Sequence, residues 1–236
     1  MGTKDDIHGR VKDLLAPGSY DITDSKEIPG PGDNRLTFGN KGVRFEAATL
    51  YIDMRGSTAV LNAHNDYTVA KIHKAYLYTA TTLIADHGGQ IRSYNGDSIL
   101  AFFTGTKQQA ISKAIKAAMQ VKYMLAIVCK AEFDRYHELD FGIGIDHGKV
   151  LCVKAGKAQN KNHNDLIWLG NAVNRAAVLG DEASGPAHIR ISQLCRDNLA
   201  SDVKTSSGRD MWTRQAFDYN GNEEATWKTT FRWKVP

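Results

Sequence analysis

Two short β-prone runs, GGQIRSY and SILAFF, flank Asn95-Gly96-Asp97, and this arrangement constrains the chain more than any other part of it. Asn-Gly favours a tight turn with positive φ, so the runs are expected to pair as a hairpin, with Asp97 leaving the turn at a strand end. Upstream, FEAATLYID is a strand-like run, and residues 57–87 carry Val69, Ile72, Tyr76 and Leu83 at helical intervals. Downstream, residues 107–133 form the clearest amphipathic helix, and LDFGIGIDHGKVLCVKAG reads as a second hairpin turning around His147-Gly148. The order β-α-β-β-α-β is the ferredoxin-like split arrangement: an α+β fold, an antiparallel sheet with helices packed on it.

Beyond the polar loop QNKNHND come a strand LIWL, a helix GNAVNRAAVLGD, a strand IRIS, a helix SQLCRDNLA and a β-rich tail ending TTFRWKVP. At the other end, residues 4–15 place Ile7, Val11, Leu14 and Leu15 at helical spacing. Pro17, Gly18, Pro29, Gly30, Pro31 and Gly32 then prevent regular structure until about residue 44. The expected organisation is an N-terminal helix and Pro/Gly-rich arm over 1–44 and one catalytic-type domain over 45–236.

With 236 residues, 42% hydrophobic and 24% charged, the chain has an ordinary globular composition and length for one domain with a substantial core. Its net charge of +4 is small and its basic residues are scattered, with local excess over Lys107 to Lys122 and at Lys154, Lys157 and Lys161. Such a distribution suits a polyanionic small molecule as readily as nucleic acid. Nucleic-acid modules of this topology expose aromatics on two central strands; here those strands carry acids, and no nucleic-acid partner is expected. The most apolar stretch, AAMQVKYMLAIVCKA, is interrupted by Lys122 and Lys130. It falls short of the roughly 18 apolar residues of a spanning helix and reads as a buried one, so no membrane partner is expected. Cys129, Cys152 and Cys195 are odd in number, widely spaced and preceded by no charged-then-apolar leader, which implies reduced thiols in a cytoplasmic protein. His147, Cys152 and His163 match no transition-metal ligand spacing.

Chemistry concentrates at two aspartates. In Leu50-Tyr51-Ile52-Asp53-Met54-Arg55-Gly56-Ser57-Thr58 a carboxylate ends a hydrophobic strand and a Gly-Ser-Thr turn opens a helix, where free backbone N–H groups can receive phosphate oxygens. The Asp97 hairpin can lie beside that strand, bringing two carboxylates within bridging distance of a metal pair, and hard oxygen ligands favour Mg²⁺ or Mn²⁺. A single aspartate at a strand end or turn is ordinarily a cap or turn former. The pairing is what points to metal.

The segments YIDMRGST, GGQIRSYNGD and GNAVNRAAV occur in this order with intervening spacings that resemble the class III adenylate and guanylate cyclase catalytic domain, from about Phe45 to Ser192. GIGIDHGKV resembles a further glycine-containing segment of that family. The resemblance implies two Mg²⁺ or Mn²⁺ ions per site on Asp53 and Asp97, with the Met54 carbonyl assisting. It assigns Arg55, Gly56, Ser57 and Thr58 to the β- and γ-phosphates and Asn174 to the ribose. The implied reaction is attack of the ribose 3′-oxygen on the α-phosphorus with pyrophosphate leaving, which needs no side-chain nucleophile. In this family the metal-bearing half of one subunit meets the asparagine-bearing half of another, so one chain carrying both implies a symmetric homodimer with active sites at the interface.

Departures from the family narrow the substrate. Ser93 stands where adenylate cyclases have Lys and guanylate cyclases Glu, Ile167 stands at the second purine-reading position, and Tyr51 replaces the usual Phe. With Asn95, these form the expected base-binding set. They point to a smaller base and to similarity with the pyrimidine cyclases of bacterial anti-phage defence, the Pycsar type. That similarity implies UTP as substrate, with CTP the alternative, and a separate cyclic-nucleotide-responsive effector protein. Ser93 can donate or accept a hydrogen bond and does not choose between the two bases. An atypical adenylate cyclase and a degenerate nucleotide-binding dimer module are the remaining alternatives. The transition-state Arg expected one turn after Asn174 is Val178, so Arg175, Arg92, Lys228 or Lys234 must supply the cation, or turnover is slow.

Overall fold

A computed structural model describes residues 2–18, 20–156, 162 and 164–236; Lys157, Lys161 and His163 lie outside the described residues. The chain divides into two compact units, one of residues 1–45 with 149–170, the other of 46–148 with 171–236.

In the first unit, α1 (Thr3–Leu14) begins where the helical spacing predicts. The arm is more regular than expected, because β1 (Asp21–Asp24) pairs parallel with the opening residues of β2 (Lys41–Arg55), Asp21 opposite Lys41 and Asp24 opposite Arg44. The Arg44 guanidinium grips Asp24 at 2.6 Å and holds that carboxyl below its ordinary value. The closing residues of β5 (Asp140–Gly156) pair antiparallel with β6 (Asn164–Leu169), and Phe45 meets Trp168 edge to face at 6.0 Å.

The second unit carries the expected hairpin of β3 (Gln90–Asn95) and β4 (Ser98–Phe103). With β7 (Ile189–Ser192), the pair β8 (Thr205–Ser206) and β9 (Arg209–Asp210), β10 (Thr213–Tyr219) and β11 (Asn222–Thr229), its main strand order is β10-β11-β7-β5-β2-β4-β3. The sheet is mixed: β7 runs parallel to β5, as a helical crossover between them requires, and β11 antiparallel to β7. Helices α2 (Ser57–Ala63) and α3 (Asp66–Asp86) replace the single expected helix, because Asn65 accepts the Thr68 N–H at 3.0 Å and starts a new one. The long amphipathic helix is α4 (Lys107–Tyr123), opened by a Thr106–Gln109 capping box and continued by a π-helical turn, Met124–Val128, and α5 (Lys130–Asp134). Lys122 is buried on it and donates to the Pro186 and Thr229 carbonyls at 2.7 and 3.3 Å, which is how the apolar stretch accommodates a cation. Short helices α6 (Asn171–Asp181), α7 (Gln193–Asp197) and α8 (Ser201–Lys204) complete the unit.

The second expected hairpin does not form. Residues 140–156 are one continuous strand without a turn at His147-Gly148. The glycines of this segment serve packing: a Cβ on Gly144 would stand 1.9 Å from the Ala176 carbonyl oxygen, one on Gly142 2.0 Å from that of Gly180, and one on Gly148 3.3 Å from the Ala172 Cβ. Helix α6 thus lies backbone to backbone on β5, a contact only glycine allows. The core on the helix side of the sheet gathers Leu50, Ile52 and Met54 of β2, Ile99 and Phe103 of β4, Ile72 and Tyr76 of α3, and Ile111, Ile115 and Met119 of α4. Among the described residues, no helix is long and apolar enough to cross a membrane.

Candidate active site

The ladder that places Ile52 opposite Ile99 also sets Tyr51 opposite Leu100, and Leu100 pairs on its other side with Ser93. Tyr51, Leu100 and Ser93 therefore form one row across three strands on the face away from the helix core. Asp53, two residues beyond Tyr51, shares that face. Ser98 Oγ donates to the Asn95 carbonyl at 3.0 Å and hydrogen-bonds the Tyr51 phenol, tying β2 to the turn that carries Asp97. That turn lies one residue later than an Asn-Gly turn: Asn95 pairs with Ser98, Gly96 supplies the positive φ of 63°, and Asp97 is itself in the turn.

The two carboxylates feel each other. Burial and then the Asp97 charge push the Asp53 carboxyl up to about 6, against the opposing pull of its 3.0 Å hydrogen bond from the Met54 N–H. The Oδ2 of Asp97 is buried without any hydrogen-bond partner. A repelling acid pair with an orphaned acceptor lacks positive charge, and a divalent cation fits that deficit. Among the described residues there is no cluster of three or more His, Cys, Asp or Glu suited to a metal. The fit is therefore to Mg²⁺ or Mn²⁺ completed by backbone and substrate oxygens, rather than to an all-protein cage. His147 is buried 3.6 Å from Glu46, and burial pushes its imidazole below the ordinary value.

Beside Asp53, an open cavity of about 250 Å³ is lined by Asp53, Met54, Arg55, Gly56, Gly180 and Asp181. Gly56 has φ 70° and caps α2. The Ala59 and Val60 amides bond back to its carbonyl, at 2.8 and 3.2 Å, while the Ser57 and Thr58 amides, at the first turn, have no intrahelical acceptor. Arg55 is anchored: its guanidinium donates to the Asp181 carbonyl and, at 2.8 Å, to that of Ala183. Sequence reasoning missed Asp181, whose carboxyl is raised by burial and adds a third negative charge near Asp53. It also read Tyr76 only as a helix-face residue. That phenol is 0% exposed, its oxygen has no partner, and burial, then the Asp53 and Asp97 charges, push it well above its ordinary value.

Of the remaining expected residues in the second unit, none lines the cavity beside Asp53. Asn174 and Val178 are exposed one turn apart on α6. Arg175 faces inward, 2.9 Å from Glu224, 3.6 Å from Asp146 and 4.7 Å from the centre of the Tyr219 ring. Arg92 folds along its own strand onto the Ile91 carbonyl at 3.1 Å. Lys228, on β11, pairs across to Arg190 of β7, and β7 and β5 separate β11 from β2. Lys234 lies in the tail, where its carbonyl accepts from Gln120 at 3.3 Å. Ile167 is 43% exposed on β6 in the first unit.

Residues 43–227 match the adenylate and guanylate cyclase catalytic domain family. The chain belongs to that family. It is a nucleotide cyclase, and its sequence is 31% identical to the uridylate cyclase of Xanthomonas perforans and 30% identical to that of Burkholderia cepacia, covering the whole length of both chains in each case. Among solved structures, the guanylyl cyclase Cya2 superposes with a TM-score of 0.68 at 21% identity, covering 81% of this chain and 95% of that one, which confirms the class III cyclase fold.

Proposed function

We propose that this cyclase converts UTP to 3′,5′-cyclic UMP and pyrophosphate, as the signal of an anti-phage defence system acting on a separate effector. The observation that carries the reading is end-to-end similarity to uridylate cyclases, at 30% and 31% identity. The Tyr51–Leu100–Ser93 row supports it: Ser93 offers one short hydrogen-bonding group to a pyrimidine edge where a purine cyclase has a long one, Tyr51 lies on the same face as Asp53, and Ile167 and Asn95 remain the further base-binding candidates. Because Ser93 donates or accepts equally well, CTP is the second substrate to test.

Asp53, Asp97 and the Met54 carbonyl would hold two Mg²⁺ or Mn²⁺ ions. Such ions, when bound, make the 3′-hydroxyl more acidic and offset the charge of the leaving pyrophosphate. The Ser57 and Thr58 amides receive phosphate oxygens, Gly56 lets the chain turn beneath them, and Arg55 holds the loop against α6. Asn174, exposed on α6, orients the ribose in the site of a second subunit, so the active form is a homodimer. Arg175 anchors α6 through Glu224 and Asp146 and does not replace the arginine lost at Val178; Lys228 and Lys234 remain the candidate cations for the developing charge, from a partner subunit. The test is incubation of the pure protein and Asp53→Ala with Mn²⁺ and each of ATP, GTP, CTP and UTP, with products read by mass spectrometry. Cyclic UMP from the wild type alone is expected. Product only from ATP or GTP overturns the pyrimidine assignment.

A further inference from the structure

Lys122 is 3% exposed, yet its ammonium meets only carbonyl oxygens, those of Pro186 at 2.7 Å and Thr229 at 3.3 Å. A buried cation is ordinarily paired with a carboxylate. Among the described residues Lys122 forms no ion pair, and Arg232 forms neither an ion pair nor a hydrogen bond. Both line an open cavity of about 900 Å³, built from the end of α4, the π-helical turn, α5, the start of β5, the 185–188 segment and the tail. Ligand cavities commonly measure roughly 300–1,000 Å³.

The acids of this cavity are already matched. Asp134 lies 2.8 Å from Lys130, which Glu138 also attracts. Asp140 Oδ1 accepts from the Phe141 and Gly185 N–H groups at 2.8 and 3.0 Å and lies 3.2 Å from His188, while its Oδ2 is 3.9 Å from Arg55 Nε. Two cations are left over. Burial, then the Arg232 charge, push the Lys122 amine down to about 8, and at about pH 7 it is still mostly protonated. Leu125, Phe133 and Leu139 give the same cavity an apolar wall.

We propose that this cavity binds an amphipathic organic anion, with its carboxylate, sulfonate or phosphate-ester head at Lys122 and Arg232 and its apolar body against Leu125, Phe133 and Leu139, and that its occupant acts on Arg55 through Asp140. The head supplies the counter-charge that the buried ammonium lacks, and the apolar wall selects against inorganic ions. Asp140 connects this cavity to the one beside Asp53, because the Arg55 that it approaches lines the latter. A negative charge added behind Asp140 strengthens the pull on Arg55 and draws it from the nucleotide. That second half rests on the phosphate role of Arg55 proposed above; the binding half does not depend on it.

The experiment is fluorescence titration of the full chain with anilinonaphthalenesulfonate, an aromatic monoanion, and with N-phenylnaphthylamine, a neutral molecule of similar shape. Lys122→Met is expected to weaken sulfonate binding about 10- to 100-fold, as loss of a charge-assisted contact does. Arg232→Gln should weaken it about 2- to 5-fold, because Arg232 is exposed; it keeps the test open if Lys122→Met does not fold. The neutral molecule should bind the wild type more weakly and ignore both substitutions. Sulfonate bound equally well by the wild type and both variants, or not bound at all, overturns the site. In steady-state kinetics with Mn²⁺, saturating sulfonate is expected to raise KM for the cyclised nucleotide about 2- to 5-fold, the scale of a partly exposed ion pair, with kcat unchanged. Asp140→Asn should bind the sulfonate and lose that rise. A KM unmoved in the wild type overturns the action on Arg55 and leaves the binding site standing.

Discussion

At the scale of single residues, the acid pair is held in an arrangement unfavourable to the protein alone. Asp53 has its carboxyl pushed up to about 6, from 3.8, chiefly by burial and then by Asp97. Above that value it is ionised at a cost in the fold that the unfolded chain does not incur, so the native state binds more protons than the unfolded one between the two values and stability falls as pH rises through them. Asp53→Asn keeps an acceptor for the Met54 N–H and removes the charge. In metal-free protein at about pH 7.5 it is expected to raise Tm by roughly 2–4 °C for each kcal/mol relieved, to lose that advantage as pH falls to about 4, and to abolish cyclisation; differential scanning calorimetry across that pH range checks it. A lower Tm for the variant at every pH contradicts the account. The carboxylates were legible in the sequence because each sits in a turn signal beside a β-prone run. Tyr76 and Asp181 were not, because only packing and the approach of α6 bring them to the pair.

Elements show the same division between local signal and tertiary contact. The β3–β4 hairpin was readable from Asn95-Gly96, whereas the turn expected at His147-Gly148 was a misreading of glycines that serve α6. Nothing local distinguishes the two uses: both look like a small residue interrupting an apolar alternation. The structure separates them through the helix carbonyls that would collide with a side chain on Gly142 or Gly144. Gly144→Ala is therefore expected to lift α6 from β5, at a cost on the order of 1–3 kcal/mol or more, and to lower kcat as well, since α6 carries Asn174. Urea unfolding combined with steady-state kinetics checks this. Alanine there leaving both stability and kcat intact would show that the helix does not depend on that approach. The split of the 57–87 helix has a local cause, the Asn65 cap, that the apolar periodicity alone concealed.

For the whole molecule, one chain holds both the acid pair proposed to bind metal and an asparagine helix whose exposed face carries Asn174 and Val178. If each active site combines the loop of one subunit with the helix of another, damage to the two halves should complement. Asp53→Ala and Asn174→Ala are each expected to be nearly inactive as pure homodimers. Mixed under conditions that allow subunits to exchange, half the dimers become heterodimers, and each heterodimer contains one site with both intact halves and one with neither. Activity should then recover to about a quarter of the wild-type value, as two-fold symmetry requires. Cyclic nucleotide formation measured against mixing ratio should peak at equimolar protein. Recovery absent despite demonstrated subunit exchange places the loop and the helix of each site in the same chain, and the interface then serves stability alone. A recovery that tracks heterodimer abundance, quantified by native mass spectrometry, ties the chemistry to the assembly rather than to the fold of one subunit.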